Sequence, residues 1–346
     1  MTGKLILEDK TEILGESFGA NTPSAGEVVF ATGMMGYPES LTDPSYKGQI
    51  LILTYPLIGN YGVPDKKFWE SEKIMVSGLI VSTYNDTPSH FQSQKTLAQW
   101  FKEENVPLLE IKDTRFLTQK IREKGTMLGK IIFEKDIPYF DPNLINLVDQ
   151  VSTKETKFIK GSSSKTVLLF DCGAKNNIQR SLSKRGVNVL TVPWDFDPFE
   201  KSDIGKFDGI LISNGPGDPK MATITIQTVK KAMEKEIPIL GICLGNQILA
   251  LAAGGDTKKL KYGHRSQNQP CKMEGSDRCF ITTQNHGFAV SKIPVGFKPW
   301  FTNANDSTNE GIIHKTLPFM SVQFHPEATP GPQDADWIFD YFLERI

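Results

Sequence analysis

Nowhere in the 346 residues does an apolar run approach the roughly 20 positions that a helix needs to cross a bilayer, so a membrane-spanning reading has no support in the sequence. Cysteine is scarce. Cys172, Cys243, Cys271 and Cys279 form no CxxC pair and fall far short of a secreted disulfide scaffold, which points to a reducing compartment and away from a cysteine-held zinc site. An excess of charge is missing as well. With 39 Lys and Arg against 40 Asp and Glu, the formal net charge of −1 gives no bulk electrostatic reason to expect nucleic acid or an anionic membrane as a partner. The opening MTGKLILEDKTEIL carries Glu8, Asp9 and Glu12, which fit neither a signal peptide nor an acid-poor transit peptide, so a cytoplasmic location is the expectation. Internal repeats and low-complexity tracts are also lacking, which removes solenoid readings.

What is present is the composition of a folded enzyme-sized protein: 39% hydrophobic, 23% charged and 10% aromatic, over a length greater than one hydrophobic core usually organises. The polar stretch STKETKFIKGSSSK has no apolar periodicity and ends in a Gly-Ser cluster. We read 1–152 as a first domain, 153–165 as a linker and 166–346 as a second domain. After the linker, strand-like runs at 166–170, 187–192, 209–213 and 237–242 alternate with helical stretches at 177–184, 225–235 and 246–253. This is the texture of an α/β domain with a mostly parallel sheet flanked by helices, whose chemistry belongs at the carboxyl ends of strands. Before the linker, Gly- and Pro-rich turns surround short β-type runs at 27–31 and 50–55, with a helix expected at Thr114–Lys124, so this half reads as α+β.

The sharpest local signal is PILGICLGNQ, where an apolar strand meets Cys243 between Gly241 and Gly245 just before a helix. A nucleophile on a tight strand-to-helix turn needs small neighbours, because the backbone passes close to itself and substrate must reach the sulfur. The helix also directs N–H groups and its positive dipole end at the sulfur, favouring thiolate. Taken alone, a cysteine among apolar residues is more often an inert buried side chain. A thiolate needs a histidine, and the chain has five. His325 follows the strand-like 319–324 and sits two residues before Glu327, a spacing at which imidazole and carboxylate share one face of extended chain. The carboxylate can then orient the ring and stabilise imidazolium. The bland alternative is a surface His-Pro-Glu turn. A third element, SNGPGDP at 213–219, places Gly215 and Gly217 in a rigid loop at a strand's carboxyl end. The N–H groups of Gly217 and Leu244 would together form an oxyanion hole.

Together SNGPGDP, GICLGNQ and QFHPE, in that order on alternating β/α texture, resemble the class I glutamine amidotransferases. The resemblance implies Cys243 as nucleophile, His325 as acid and base, Glu327 as its orienter, and Gln247 as a glutamine contact. The stretch GEVVFATGMMGYPESLTDPSYKGQILILTYPLIGNYG, at 26–62, is similar to the amino-terminal domain of carbamoyl phosphate synthetase small subunits, as is DTRFLTQKIREKGTMLGKI at 113–131. From that family, Ser45 in DPSY and Asn285, Gly287 and Phe288 in QNHGFA are implied as further glutamine contacts, alongside Gly215, Gly217 and Leu244. One departure stands out: in GHRSQNQP, Ser266 occupies a position where the family usually has glycine. The HRxxNQPC style, with Arg265 and Cys271, is closer to the eukaryotic fused enzymes.

The implied reaction is glutamine hydrolysis through a cysteinyl thioester, with ammonia passing to a large synthetase subunit or a fused synthetase domain. That partner would bind ATP, magnesium and bicarbonate for pyrimidine or arginine biosynthesis. This chain would itself hold no cofactor and no metal. Two alternatives differ in class. The glutaminase of another complex, such as anthranilate or GMP synthesis, would share the second half but not residues 26–62. A dead scaffold is the other; ammonia-dependent carbamoyl phosphate synthetase carries serine for the nucleophilic cysteine, whereas Cys243 is present here with His325 and Glu327.

Overall fold

In the computed structural model, which describes residues 1–200 and 204–346, the chain divides into two compact units, Met1–Ile145 and Asn146–Ile346. The first unit is built on a closed seven-stranded barrel. Its strands are β1 (Thr2–Leu7), β2 (Glu12–Ser17), β3 (Ser24–Ala31), β4 (Gln49–Leu53), β5 (Gly78–Val81), β6 (Leu108–Glu110) and β7 (Met127–Ile132), in the spatial order β1-β2-β6-β5-β4-β3-β7. β3, β4, β5 and β6 run parallel to their neighbours in that series, while β1, β2 and β7 close the circle antiparallel. Helices α1 (Tyr37–Leu41), α2 (Leu97–Glu103) and α3 (Thr114–Lys124) supply the connections. α3 starts where the Asp113 carboxylate accepts from the Phe116 amide at 2.9 Å, a side-chain cap, and stops at Gly125 with φ of 102°. Closure demands one very close approach: a Cβ on Gly26 would lie 2.2 Å from the Gly48 carbonyl oxygen.

The second unit holds a ten-stranded sheet. Its first strands are β8 (Lys157–Ile159), β9 (Thr166–Asp171), β10 (Asn188–Pro193), β11 (Gly209–Ile212) and β12 (Ile239–Ile242). The others are β13 (Asp256–Met273), β14 (Cys279–Lys292), β15 (Phe297–Asn303), β16 (Asn309–His314) and β17 (Phe319–Val322). The order is β14-β13-β15-β16-β17-β12-β11-β9-β10-β8. Strands β10, β9, β11, β12 and β17 are mutually parallel. The helices are α4 (Val148–Val151), α5 (Asn176–Lys184), α6 (Thr223–Glu234), α7 (Leu244–Ala252) and α8 (Trp337–Leu343).

Alternation along the parallel strands explains the layering. Leu168, Phe170, Ile210 and Ile212 pack in one apolar cluster with Val229 of α6 and Ile248 of α7, whereas Val167, Leu169, Leu211 and Leu240 pack in another with Leu182 of α5 and Phe339 of α8. Both faces are covered, so these strands read as continuous apolar runs in the sequence. Beyond β17 the sheet becomes antiparallel, and β13 and β14 form a long two-stranded ribbon with register shifts near Lys259 and Ser266. Residues 153–165, read as a linker, contain β8, which pairs antiparallel with β10 at the sheet edge. Ser266, where the resemblance leads to glycine, pairs with Gln284 at the edge of a register shift, takes no positive φ, and its hydroxyl accepts from Gln269 Nε2 at 3.0 Å. No helix among the described residues is long and apolar enough to cross a membrane.

Candidate active site

Cys243 lies between the end of β12 and the start of α7, with φ of 55° and ψ of −101°. A non-glycine residue held there carries backbone strain on the order of 1–3 kcal/mol and persists because its surroundings fix it. The surroundings are visible. The Cys243 amide donates to the Val322 carbonyl of β17 at 2.8 Å, and its carbonyl accepts from the Asn246 amide at 3.1 Å. A Cβ on Gly241 would meet the Gly245 carbonyl oxygen at 2.4 Å, and one on Gly245 would meet the Ile212 carbonyl oxygen at 2.2 Å. Both glycines are therefore steric requirements of the turn.

β17 runs beside β12, so the chain that follows it, Gln323-Phe-His-Pro-Glu, passes the elbow. The His325 amide donates to the Thr283 carbonyl of β14 at 2.9 Å, which pins the histidine to the ribbon. His325 Nδ1 donates to Glu327 Oε1 at 2.7 Å, and both side chains are buried. Burial works against a charged ring, yet the Glu327 carboxylate and then the Cys243 sulfur outweigh it and raise the imidazole to about 10. The Cys243 sulfur favours the protonated ring both through charge and through a hydrogen bond. The sulfur itself faces the Asn285 carbonyl oxygen at 3.7 Å. Burial pushes the Cys172 and Cys271 thiols up, which makes them poor sources of thiolate.

Glu327 is held ionised at depth. Burial raises its carboxyl, but Lys175 and then His325 overcome this and lower it to about 2. Lys175 Nζ lies 3.2 Å from Glu327 Oε1 and also donates to the Ala328 carbonyl, with 2% of the lysine side chain exposed. Sequence reasoning missed Lys175. The signal was its place in DCGAKNN, directly past the carboxyl end of β9, where sheets of this kind collect functional groups. Asn177 was also missed; its Nδ2 donates to the Glu327 carbonyl at 2.5 Å and to Thr329 Oγ1 at 2.7 Å.

Of the other expected contacts, all but Ser45 lie in the second unit. Gly215 and Gly217 stand in the loop after β11, where a Cβ on Gly215 would lie 2.1 Å from the Cys172 carbonyl oxygen and Gly217 takes φ of 82°. Leu244 opens α7, and its N–H is one of the first-turn amides that a helix cannot satisfy internally. Gln247 donates from Nε2 to the Phe288 carbonyl at 2.8 Å and to Gln323 Oε1 at 3.1 Å, which leaves its oxygen as the group available to a ligand. Asn246 joins the same network, donating to Gln323 Oε1 at 3.0 Å and accepting from Ser321 Oγ at 2.8 Å. Asn285, Gly287 and Phe288 lie on β14. Ser45 belongs to the first unit, on the turn Pro44–Tyr46, where the Asp43 carboxylate accepts from its amide at 2.9 Å.

A strained, glycine-flanked cysteine beside a carboxylate-oriented imidazole has the parts for nucleophilic attack on an acyl carbon, with the ring moving the proton. The family model described as glutamine amidotransferase class-I matches residues 168–345, and the chain belongs to that family. A second model, the carbamoyl-phosphate synthase small chain, CPSase domain, matches residues 5–131 and so falls on the barrel unit. Among similar proteins, the multifunctional protein CAD of Squalus acanthias is 52% identical over 98% of this chain and 16% of its own length. The multifunctional protein ura1 of Schizosaccharomyces pombe is 46% identical over 99% of this chain and 17% of its own. The human mitochondrial carbamoyl-phosphate synthase [ammonia] is 49% identical over 100% of this chain and 24% of its own. The chain thus spans a sixth to a quarter of the length of these relatives.

Proposed function

We propose that this chain is the glutamine-hydrolysing component of a glutamine-dependent carbamoyl phosphate synthetase, acting in the cytoplasm for pyrimidine or arginine biosynthesis. One observation carries the reading: Cys243, His325 and Glu327, from two separate stretches of chain, converge in a unit that belongs to the class-I glutamine amidotransferases. The carbamoyl-phosphate synthase small chain domain at 5–131 favours this synthetase over other glutamine-using complexes.

In the proposed mechanism the Cys243 thiolate attacks the side-chain amide carbon of glutamine, and the oxyanion is received by the N–H groups of Leu244 and Gly217. His325, held protonated by Glu327, gives its proton to the departing nitrogen as the carbon–nitrogen bond breaks. The neutral ring then takes a proton from water, which attacks the γ-glutamyl thioester and releases glutamate. Lys175 keeps Glu327 anionic throughout. Gln247, Asn285, Gly287 and Phe288 surround the amino acid, and Gly215 shapes the loop that presents Gly217. Ser45 enters as a glutamine contact on the family resemblance alone. Ammonia passes to a large synthetase subunit or fused domain, where ATP, magnesium and bicarbonate bind; no cofactor or metal takes part on this chain's side of the reaction.

Glutamate release by the purified chain, alone and with a synthetase partner, tests the reading. The expected result is hydrolysis that Cys243→Ser abolishes, together with glutamine-dependent carbamoyl phosphate formation when the partner is added. Hydrolysis unaffected by Cys243→Ser, or none in either condition, would overturn it.

A further inference from the structure

Beside the site, a group of buried side chains serves no step of the proposed reaction. His264 on β13, His286 on β14 and Glu310 on β16 place ring nitrogens and carboxylate oxygen within 4.8 Å of one another. Their exposures are 8%, 4% and 0%, so water does not screen them. Hydrogen bonds on the far side of each ring fix which nitrogen faces inward. His286 Nδ1 donates to the Phe288 carbonyl at 2.8 Å, which turns the lone pair of Nε2 towards the group. His264 Nε2 donates to the Asp306 carboxylate at 2.9 Å, which leaves Nδ1 facing Glu310 Oε1 at 3.2 Å. Gln284 adds an oxygen: its amide nitrogen donates to Cys271 Sγ and Thr282 Oγ1, both at 3.2 Å, while Oε1 lies 2.9 Å from His264 Nδ1 and 3.2 Å from His286 Nε2.

Four ligand-type atoms therefore converge, answered in part by a proton on His264 Nδ1 and by Asn303 Nδ2, which donates to Glu310 Oε1 at 3.4 Å. Glu310 Oε2 makes no hydrogen bond among the described residues. Buried acceptors crowded together are costly unless a cation lies among them. We propose that His264, His286 and Glu310 bind a divalent transition cation of the zinc class, with Gln284 Oε1 as a fourth donor. Two imidazoles and a carboxylate are a donor set suited to such a cation. The outer hydrogen bonds are also what metal-binding histidines show, a carbonyl behind one ring and a carboxylate behind the other. The 3.2 Å between His264 Nδ1 and Glu310 Oε1 is close to the ~3.3–3.4 Å edge of a tetrahedron with ligands at ~2.0–2.1 Å. His286 Nε2 lies 3.9 Å from Glu310 Oε1 and the group spans up to 4.8 Å, so closing on a cation draws the His286 ring inward by about 0.5–1.5 Å. Such a cation would join β13, β14 and β16 and stiffen the ribbon that carries Asn285 and Phe288.

The test uses the full chain purified without a histidine tag, loaded with zinc and dialysed, with metal content measured by mass spectrometry and cobalt(II) absorption as a second readout. Wild type and Cys243→Ser should each hold about one zinc per chain, because the triad is not the site. His264→Asn and Glu310→Gln should lose it. Asp306→Ala, a change at a side chain 47% exposed that leaves the core intact, should weaken binding about 10–100-fold. Absence of zinc from the folded wild type overturns the proposal, as does unchanged affinity in Asp306→Ala or loss of the metal in Cys243→Ser. Glutaminase activity is not needed for any of these readings.

Discussion

Glu327 and Lys175 form a buried ion pair whose removal can be predicted in stages. At 3.2 Å and an effective dielectric near 20, two unit charges attract by about 5 kcal/mol, set against the cost of burying both. Glu327→Gln removes the anion and leaves the lysine charge, 2% exposed, without it. The unit should lose about 3–5 kcal/mol, and Lys175→Met should do comparable damage by stranding the carboxylate. In the double variant neither charge is left stranded. Its loss should fall short of the sum of the two single losses by about 2–3 kcal/mol. Urea titration read by hydrogen exchange on peptides from β12 and α7 scores the second unit by itself. Additivity within about 0.5 kcal/mol would refute the pairing. Activity separates from stability: the double variant should remain slow by about 10³–10⁴-fold in glutamate release, because His325 has lost the group that orients it.

Cys243→Gly should unfold at higher urea than Cys243→Ser, by about 1 kcal/mol, because glycine relieves the φ of 55°; equal midpoints would remove the strain from the account. Gly245→Ala should cost more than 100-fold in glutamate release, since its Cβ would stand 2.2 Å from the Ile212 carbonyl oxygen and displace the start of α7; near-normal turnover would show that the turn yields easily. The native state binds extra protons between the ordinary histidine value of 6.5 and the raised value of about 10 for His325, so the second unit should lose stability as pH rises through that window. For Glu327 the sign reverses, with loss as pH falls from 4.5 towards about 2. His325→Asn should lack the alkaline part of this profile, as denaturation midpoints measured across pH would show.

The parts of the fold that were legible in the sequence are those whose local pattern matches their final environment. The inner residues of Thr166–Asp171 and the run Ile239–Ile242 are apolar because both sheet faces are covered, and the helix Thr114–Lys124 buries Leu117 and Ile121 at helical spacing. The antiparallel wing was not legible, because its strands pair at long range and β13 carries register shifts that break alternation. Barrel closure in the first unit depends on which strands meet, as with Gly26 against Gly48, and spacing along the chain does not encode that. Strand β8 escaped notice because Lys157, Phe158 and Ile159 are all exposed at a sheet edge and show no inward face. In the site, Cys243, His325 and Glu327 sit in compact motifs. Lys175 reaches Glu327 across 152 positions of sequence, and a lone lysine after a strand advertises nothing of its burial.

Covalent capture tests the central claim most directly. The chain is mixed with glutamine, quenched in acid within a turnover, and the peptide containing Cys243 is weighed. A γ-glutamyl adduct on that peptide, absent when Cys243 is replaced by serine, is the predicted result. Glutamate appearing at full rate while the Cys243 peptide stays unmodified, or the same adduct on another residue, would contradict the account.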